Sequence, residues 1–280
     1  MKKITFLLII LISVITFSCT ESIDVKLDDT YTRLIVDASI STDTTIHKVI
    51  LTKTASYFDS SNPLPVTGAI VTIEDGINTF LLTENILKPG VYETLPTVYG
   101  EVGKIYKLTI KNVDIDNNGT KEEYTSSTTI NHFVKIDSIQ TTRSTKRKAY
   151  DVNLYALDPP TNDYYMFEVY KNGVLQTDTL REVFFTDDKL FNGNYTNGIA
   201  VGYLRDGKGS EKAYPGDTIA IELRSITKEF NQILWETLDA TRPSIPLISG
   251  PPANVKGNIS NGAIGFFYGY SVTRASCTIK

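Results

Sequence analysis

Leu34-Ile35-Val36-Asp37-Ala38-Ser39-Ile40-Ser41 is the stretch that decides the fold class. Leu34, Val36, Ala38 and Ile40 fall on every second position, with Asp37 and Ser39 between them. That is the period of a strand with one face buried and the other solvated. The pattern recurs outward along the chain. Residues 46–54 repeat it around Val49 and Leu51, and residues 69–75 place Val71 and Ile73 inward. Gly76-Ile77-Asn78 reads as a turn into residues 79–83, and Pro89-Gly90 as a turn before Val91-Tyr92-Glu93. Tyr106, Leu108 and Ile110 mark one face of the next strand, and the Thr/Ser-rich run 121–130 reads as an edge strand. Residues 55–65 are a Ser-, Asn- and Pro-rich loop. Short strands separated by turn signals roughly every 8–12 residues predict a small antiparallel sandwich over residues 31–131.

A second β-rich unit is expected over residues 132–280. Residues 134–139 open it, and strands at 149–157 and 163–171 flank the turn Asp158-Pro159-Pro160-Thr161-Asn162. Asn172-Gly173 between two β runs predicts a tight hairpin, because both residues tolerate positive φ. Residues 184–197 read as loop. In residues 218–226, Ile219, Ile221 and Leu223 face in, and Glu222 and Arg224 face out. One helix is predicted over about residues 228–240, with Thr227 as its N-cap. Phe230, Ile233, Leu234 and Leu238 share one helical face, and Pro243 and Pro246 end the run. Trp235 is expected in the core beside that stripe. Residues 245–260 read as extended. Residues 262–270 and 271–279 read as a closing pair of strands. Within the first of these, Phe266, Tyr268 and Tyr270 alternate onto one face, which favours a core strand over a stacking platform for sugar rings. Gly265 and Gly269 mark points of close backbone approach.

The N-terminus carries a different signal. Met1-Lys2-Lys3 is basic, and residues 4–17 are uncharged and rich in Ile, Leu, Phe and Val. That apolar run falls short of the ~20 residues that span a bilayer. It predicts a lipoprotein signal peptide over residues 1–18, with Ser18 before the cut and Cys19 accepting the lipid. Thr16 stands where such motifs usually carry Leu. Residues 19–30 then read as a flexible, acidic tether from Cys19, with Glu21, Asp24, Asp28 and Asp29. Acids at this position resemble a surface-export signal and equally suit a plain solvated linker. Bacterial lipoproteins carry two or three acyl chains, so the membrane is the expected partner through Cys19. With Cys19 acylated, Cys277 has no partner for a disulfide and is read as a small buried strand residue.

Composition narrows the function classes. The chain has 280 residues, 41% hydrophobic and 21% charged, enough for one large or two medium domains. Loss of residues 1–18 removes Lys2 and Lys3 and no acid, so the charge goes from −4 to −6. An acidic body argues against nucleic acid as a partner. Asp114-x-Asp116-x-Asn118-Gly119 matches the first half of a calcium loop, whose clustered oxygens and sharp Gly bend suit Ca²⁺. Its twelfth position is Thr125 instead of the bidentate Glu, and a polar turn between strands is the simpler reading. A second acidic loop runs from Asp187-Asp188 to Asn194. The only histidines are His47 and His132, and Gly-x-Ser-x-Gly is absent, which speaks against a Ser-His-Asp hydrolase. No catalytic residue, metal or cofactor is expected.

An ordered set of segments then resembles a known family. These are Pro65-Val66-Thr67-Gly68-Ala69, Lys88-Pro89-Gly90-Val91-Tyr92 and residues 99–106, followed by Asp158-Pro159-Pro160, Gly216-Asp217, Phe230 with Leu234-Trp235, and residues 252–258 leading to Gly265-Phe266-Phe267. Together with the lipobox they are similar to the outer-membrane lipoproteins grouped as domain of unknown function 4249. The resemblance implies an exported, non-enzymatic lipoprotein with an Ig-like N-terminal unit, associated with TonB-dependent receptors. Residues 66–74 and 89–93 also resemble carboxypeptidase-regulatory-like sandwiches. The expected function is thus an accessory or ligand-binding partner of a TonB-dependent transporter at the outer membrane. A surface adhesin or glycan-binding module is the alternative.

Overall fold

Alternating burial carries straight into strands. In the computed structural model, which describes residues 32–54, 63–205, 212–242 and 255–280, the chain is mainly β. The leader, Cys19 and the tether lie outside the described residues, as do most of the 55–65 loop and of the 245–260 stretch. The first seven strands are β1 (Leu34–Ser41), β2 (Lys48–Lys53), β3 (Ile70–Glu74), β4 (Thr79–Glu84), β5 (Val91–Glu93), β6 (Ile105–Val113) and β7 (Glu122–Thr129). Next come β8 (Ile136–Ser144), β9 (Ala149–Ala156), β10 (Tyr164–Lys171), β11 (Val174–Leu175), β12 (Phe184–Asp187), β13 (Ile199–Arg205) and β14 (Thr218–Ile226). A helix, α1 (Lys228–Ala240), precedes the last strand, β15 (Ile264–Thr278).

Twelve strands form one open sheet in the order β11-β10-β14-β15-β1-β2-β5-β4-β3-β6-β7, with β12 also on β10. Strand β4 turns a corner in it, pairing β3 through Thr79 to Leu82 and β5 through Thr83 and Glu84. Val71, Ile73, Leu108 and Ile110 thereby face Leu34, Val36, Val49 and Leu51 across a first apolar core, as in a sandwich. A second sheet, β13-β9-β8, shares a second core with β10 and β14, built on Val152, Phe167, Ile221 and Leu223. The predicted edge strand is β7, at the end of its path. The Asn172-Gly173 turn has φ of 50° and 80°, as the hairpin signal requires.

Three local readings change. The expected closing pair of strands is one strand. β15 pairs β1 in parallel over Ile264 to Tyr270, then pairs β14 in antiparallel fashion over Ser271 to Thr278. No turn was needed, because the strand only exchanges neighbours. Residues 184–187, read as loop, form β12 on the free edge of β10. Trp235 is 43% exposed and rests edge-on against Phe185 at 4.8 Å. The helix buries Phe230 and Leu234, and Trp235 sits on the flank of that face. The helix start is as expected: Thr227 Oγ1 accepts from the Phe230 N–H at 3.2 Å.

A third cluster lies under the helix. Phe230 stacks on Tyr268 with ring centres 3.7 Å apart, and Tyr268 stacks on Tyr270. Phe266 is buried beside them, so the aromatic alternation of β15 serves the core. Beyond the aromatics, the same sheet face is ionic. Glu222 takes Arg224 Nε at 2.7 Å and Arg274 Nε at 2.9 Å, Arg224 also reaches Glu168 at 2.7 Å, and Arg274 reaches Asp43. Glu222 and Arg224 do point away from the second core, but they do not face water: Glu222 is only 6% exposed.

Candidate functional site

Cys19 lies outside the described residues. The Asp114–Gly119 turn is closed on itself. Asp114 Oδ1 accepts from the Asn118 N–H at 3.0 Å, Asp114 Oδ2 from the Gly119 N–H at 3.0 Å, and Asp116 takes both amides of Asn118. These carboxylates therefore act as turn caps on their own backbone. The acidic loop after Asp187 is likewise used locally. Asp188 accepts from the Asp163 N–H at 2.8 Å, and Asp158 accepts from the Tyr165 hydroxyl at 2.7 Å. Burial raises the pKa of both Asp158 and Asp188. Among the described residues, no three His, Cys, Asp or Glu side chains are grouped to hold a metal.

The histidines are engaged differently. His47 is buried, its ring facing the Val98 carbonyl at 3.2 Å, and desolvation lowers its pKa. His132 Nε2 lies 3.1 Å from Asp163 Oδ2 and 3.5 Å from Thr161 Oγ1, while Thr161 donates to the same Asp163 oxygen at 2.7 Å. A nucleophile relay uses the two ring nitrogens in series. Here one nitrogen faces both neighbours, and the hydroxyl bypasses the ring. Cys277 is half-buried on β15, and desolvation raises its thiol pKa.

A cleft of mixed lining lies elsewhere, where β7, α1 and the start of β10 meet. Its volume is about 670 Å³. Ser127, Thr128 and Thr129 of β7 form one wall, and Thr227, Lys228 and Glu229 of α1 form another. Asn131, Asn162, Tyr164 and Phe266 complete it. Physical reasons keep it open. The first half of β15 has β1 on one side only. On the other side Asn258 substitutes for a strand: its Oδ1 accepts from the Phe267 N–H at 2.9 Å, and its Nδ2 donates to the Phe267 carbonyl at 2.8 Å. The Gly269 N–H donates to Thr128 Oγ1 at 2.8 Å, which brings β7 alongside. Thr125 is tied to Ser260, and Asn258 Nδ2 donates to the Ser127 carbonyl at 3.5 Å, so the 255–260 segment runs along the outer edge of β7 beside the cleft.

The lining is rich in amides and hydroxyls. Asn131 gives an N–H to the Ile226 carbonyl at 3.0 Å. The first-turn amides of α1 add donors and a partial positive charge at the cleft wall. A second depression of about 490 Å³ shares Ser127 and Asn258 with the first. Ser126 lines it, is 7% exposed and has no hydrogen-bond partner for its hydroxyl among the described residues. Buried polar atoms without partners are rare in folded proteins and invite a ligand or water. The family model described as Domain of unknown function (DUF4249) matches residues 20–276. The chain belongs to this family. No curated protein matches it.

Within the DUF4249 region the cleft draws on segments far apart in sequence, around 128, 162, 228 and 266. Sequence reasoning found Thr227 as a helix cap and Phe266 as a core strand residue, and missed Asn131, Asn162 and Tyr164 as neighbours. No local spacing marks them, because their proximity is made by the exchange of strand partners along β15. The one usable signal was Asn131-His132 at the expected boundary between the two β units.

Proposed function

We propose that this chain is a non-enzymatic lipoprotein of the outer membrane, anchored by acyl chains on Cys19, that assists a TonB-dependent transporter in nutrient uptake. The observation that carries the reading is positional: the DUF4249 match begins at Thr20, the residue after the lipobox cysteine. A body that starts there is delivered to a membrane surface by its anchor, and the cleft between β7 and α1 gives it a place to hold a polar ligand. Cys19→Ala is expected to abolish lipid attachment and release the body from the membrane fraction, read by mass spectrometry and fractionation. A variant that stays in the membrane would sink the anchor. Affinity purification of the acylated protein is expected to bring down a TonB-dependent receptor. Recovery of the free protein alone, with unchanged growth on deletion, would sink the partnership.

The glycan-binding reading is favoured by one specific observation, the composition of the cleft. Amides, hydroxyls and a tyrosine beside Phe266 match the hydrogen-bonding groups and the apolar face of a sugar ring. Glycan-array binding that is lost in Asn131→Ala and Tyr164→Ala would support it. No binding to any glycan would remove it.

A further inference from the structure

The turn between β4 and β5 presents two aliphatic side chains to solvent almost completely. Ile86 is 94% exposed and Leu87 is 90% exposed. They are adjacent, and the turn that carries them is firmly built. Asn85 Oδ1 accepts from the Leu87 N–H at 2.9 Å and from the Lys88 N–H at 3.2 Å. The Lys88 N–H also reaches the Asn85 carbonyl, and the Val91 N–H reaches the Lys88 carbonyl. Asn85 Nδ2 is held by Glu93 at 3.0 Å. A turn this well bonded keeps two apolar side chains in water at a free-energy cost of roughly 25 cal/mol per Å², unless something covers them.

The strand register sets their place in the sandwich. Strand β1 starts at Leu34, opposite Lys53 at the end of β2. Lys53 bonds the Leu64 carbonyl, and Leu51 bonds the Gly90 carbonyl. The Ile86-Leu87 tip, the exposed Leu64 and the residues where the chain enters β1 therefore share one end of the sandwich. Exposed Arg33 and Lys88 stand at that end, and the Asp114–Gly119 turn there keeps its carboxylates on its own amides. From Cys19 to Thr32 the chain reaches at most about 45 Å.

We propose that the Ile86-Leu87 turn is a membrane-docking tip that inserts into the headgroup boundary of the bilayer holding the Cys19 acyl chains. The proposal rests on the anchor argued above. It adds an orientation: the end bearing the start of β1 faces the lipid, and the end bearing the β3–β4 turn faces away. Aliphatic side chains with Lys88 next to them in the turn and Arg33 at the same end of the sandwich suit that boundary, which they enter to a depth of ~5–10 Å. Ile77, 85% exposed on the β3–β4 turn, is the internal control, since the six residues of β4 set it roughly 20 Å away.

The test uses full-length, acylated protein in vesicles of phosphatidylethanolamine and phosphatidylglycerol. An environment-sensitive dye is placed at Leu87→Cys, or at Ile77→Cys, in a Cys277→Ser background. The Leu87 probe is expected to shift its emission to the blue and to lose roughly half its intensity to lipids carrying a nitroxide at a depth of ~5–10 Å. The Ile77 probe is expected to do neither. Acylated protein whose Leu87 probe behaves like the Ile77 probe overturns the docking tip and leaves the anchor standing. Absence of acyl chains on Cys19 by mass spectrometry overturns both.

Discussion

Glu222→Ala is expected to destabilise the fold by about 3–5 kcal/mol, read from the denaturant midpoint. The size follows from what the mutation leaves behind. Glu222 is the shared acid of two guanidinium groups, and its side chain is 8% exposed. Arg224 is 14% exposed, sits 4.8 Å over the Tyr270 ring and, among the described residues, retains Glu168 as its one ion-pair partner once Glu222 is gone. An arginine half-paired in that setting carries the desolvation cost without its full compensation. The opposite end of the network behaves differently. Arg274 is 52% exposed and Asp43 34% exposed, so Asp43→Ala is expected to cost about 0–1 kcal/mol. Arg274 also holds the Asp43 carboxyl below its usual range through hydrogen bonding, against the opposing effect of burial. A depressed carboxyl stabilises the fold above its unfolded pKa and loses that contribution as pH falls through the folded value. Asp43 therefore adds to acid sensitivity below about pH 4. Equal losses for Glu222→Ala and Asp43→Ala would refute the picture of a buried centre with an exposed end.

That network also shows where sequence reading stops. Period-two alternation placed Ile219, Ile221 and Leu223 correctly on the core face, and so placed Glu222 and Arg224 on the other face. Alternation says which face a residue takes and nothing about what lies against it. Glu222 is buried because Arg274 stands opposite it in the register and Asp43 arrives from the β1–β2 loop. Most of the strands and the helix were legible because they rest on a local period, a cap or a turn, whereas β12 and the continuity of β15 have no such signal. Thr227, Asn172-Gly173 and the Leu34–Ile40 alternation all act within a few residues. The parallel pairing of β1 with β15 joins residues about 230 apart, and no local feature encodes it. The cleft inherits that difficulty, since Asn131, Tyr164 and Phe266 become neighbours only after the pairing is made. The Ile86-Leu87 tip is the opposite case. Its sequence, Asn85-Ile86-Leu87-Lys88-Pro89-Gly90, shows a turn, but exposure had to come from the structure, because turn residues do not specify which way the aliphatic side chains between them point.

Gly265→Ala is expected to cost on the order of 4 kcal/mol or more, or to prevent folding, because three backbones converge at this residue. Val36 of β1 lies opposite Gly265 in the parallel register. A Cβ on Gly265 would sit 1.9 Å from the Val36 carbonyl oxygen, an atom of the paired strand that has nowhere to go. Gly257 presses from the other side, where its own Cβ would sit 1.9 Å from the Gly265 carbonyl oxygen. Gly265 also has φ of 111°, a region that L-residues rarely occupy. The two costs are separable. Gly76 has φ of 87° and open space around it, so Gly76→Ala carries backbone strain alone and is expected to cost about 1–2 kcal/mol. The excess of Gly265→Ala over Gly76→Ala then measures the steric term, which is the closeness of β1 to β15. Relief of that clash would require β15 to leave β1. The same movement would pull Phe267 from the first core and Phe266 from the third, since both are carried by the strand next to Gly265. Chemical denaturation of the two variants decides it: near-equal losses would mean that the β1–β15 seam yields easily, and that the parallel pair is not what holds the N-terminal strands to the C-terminal ones.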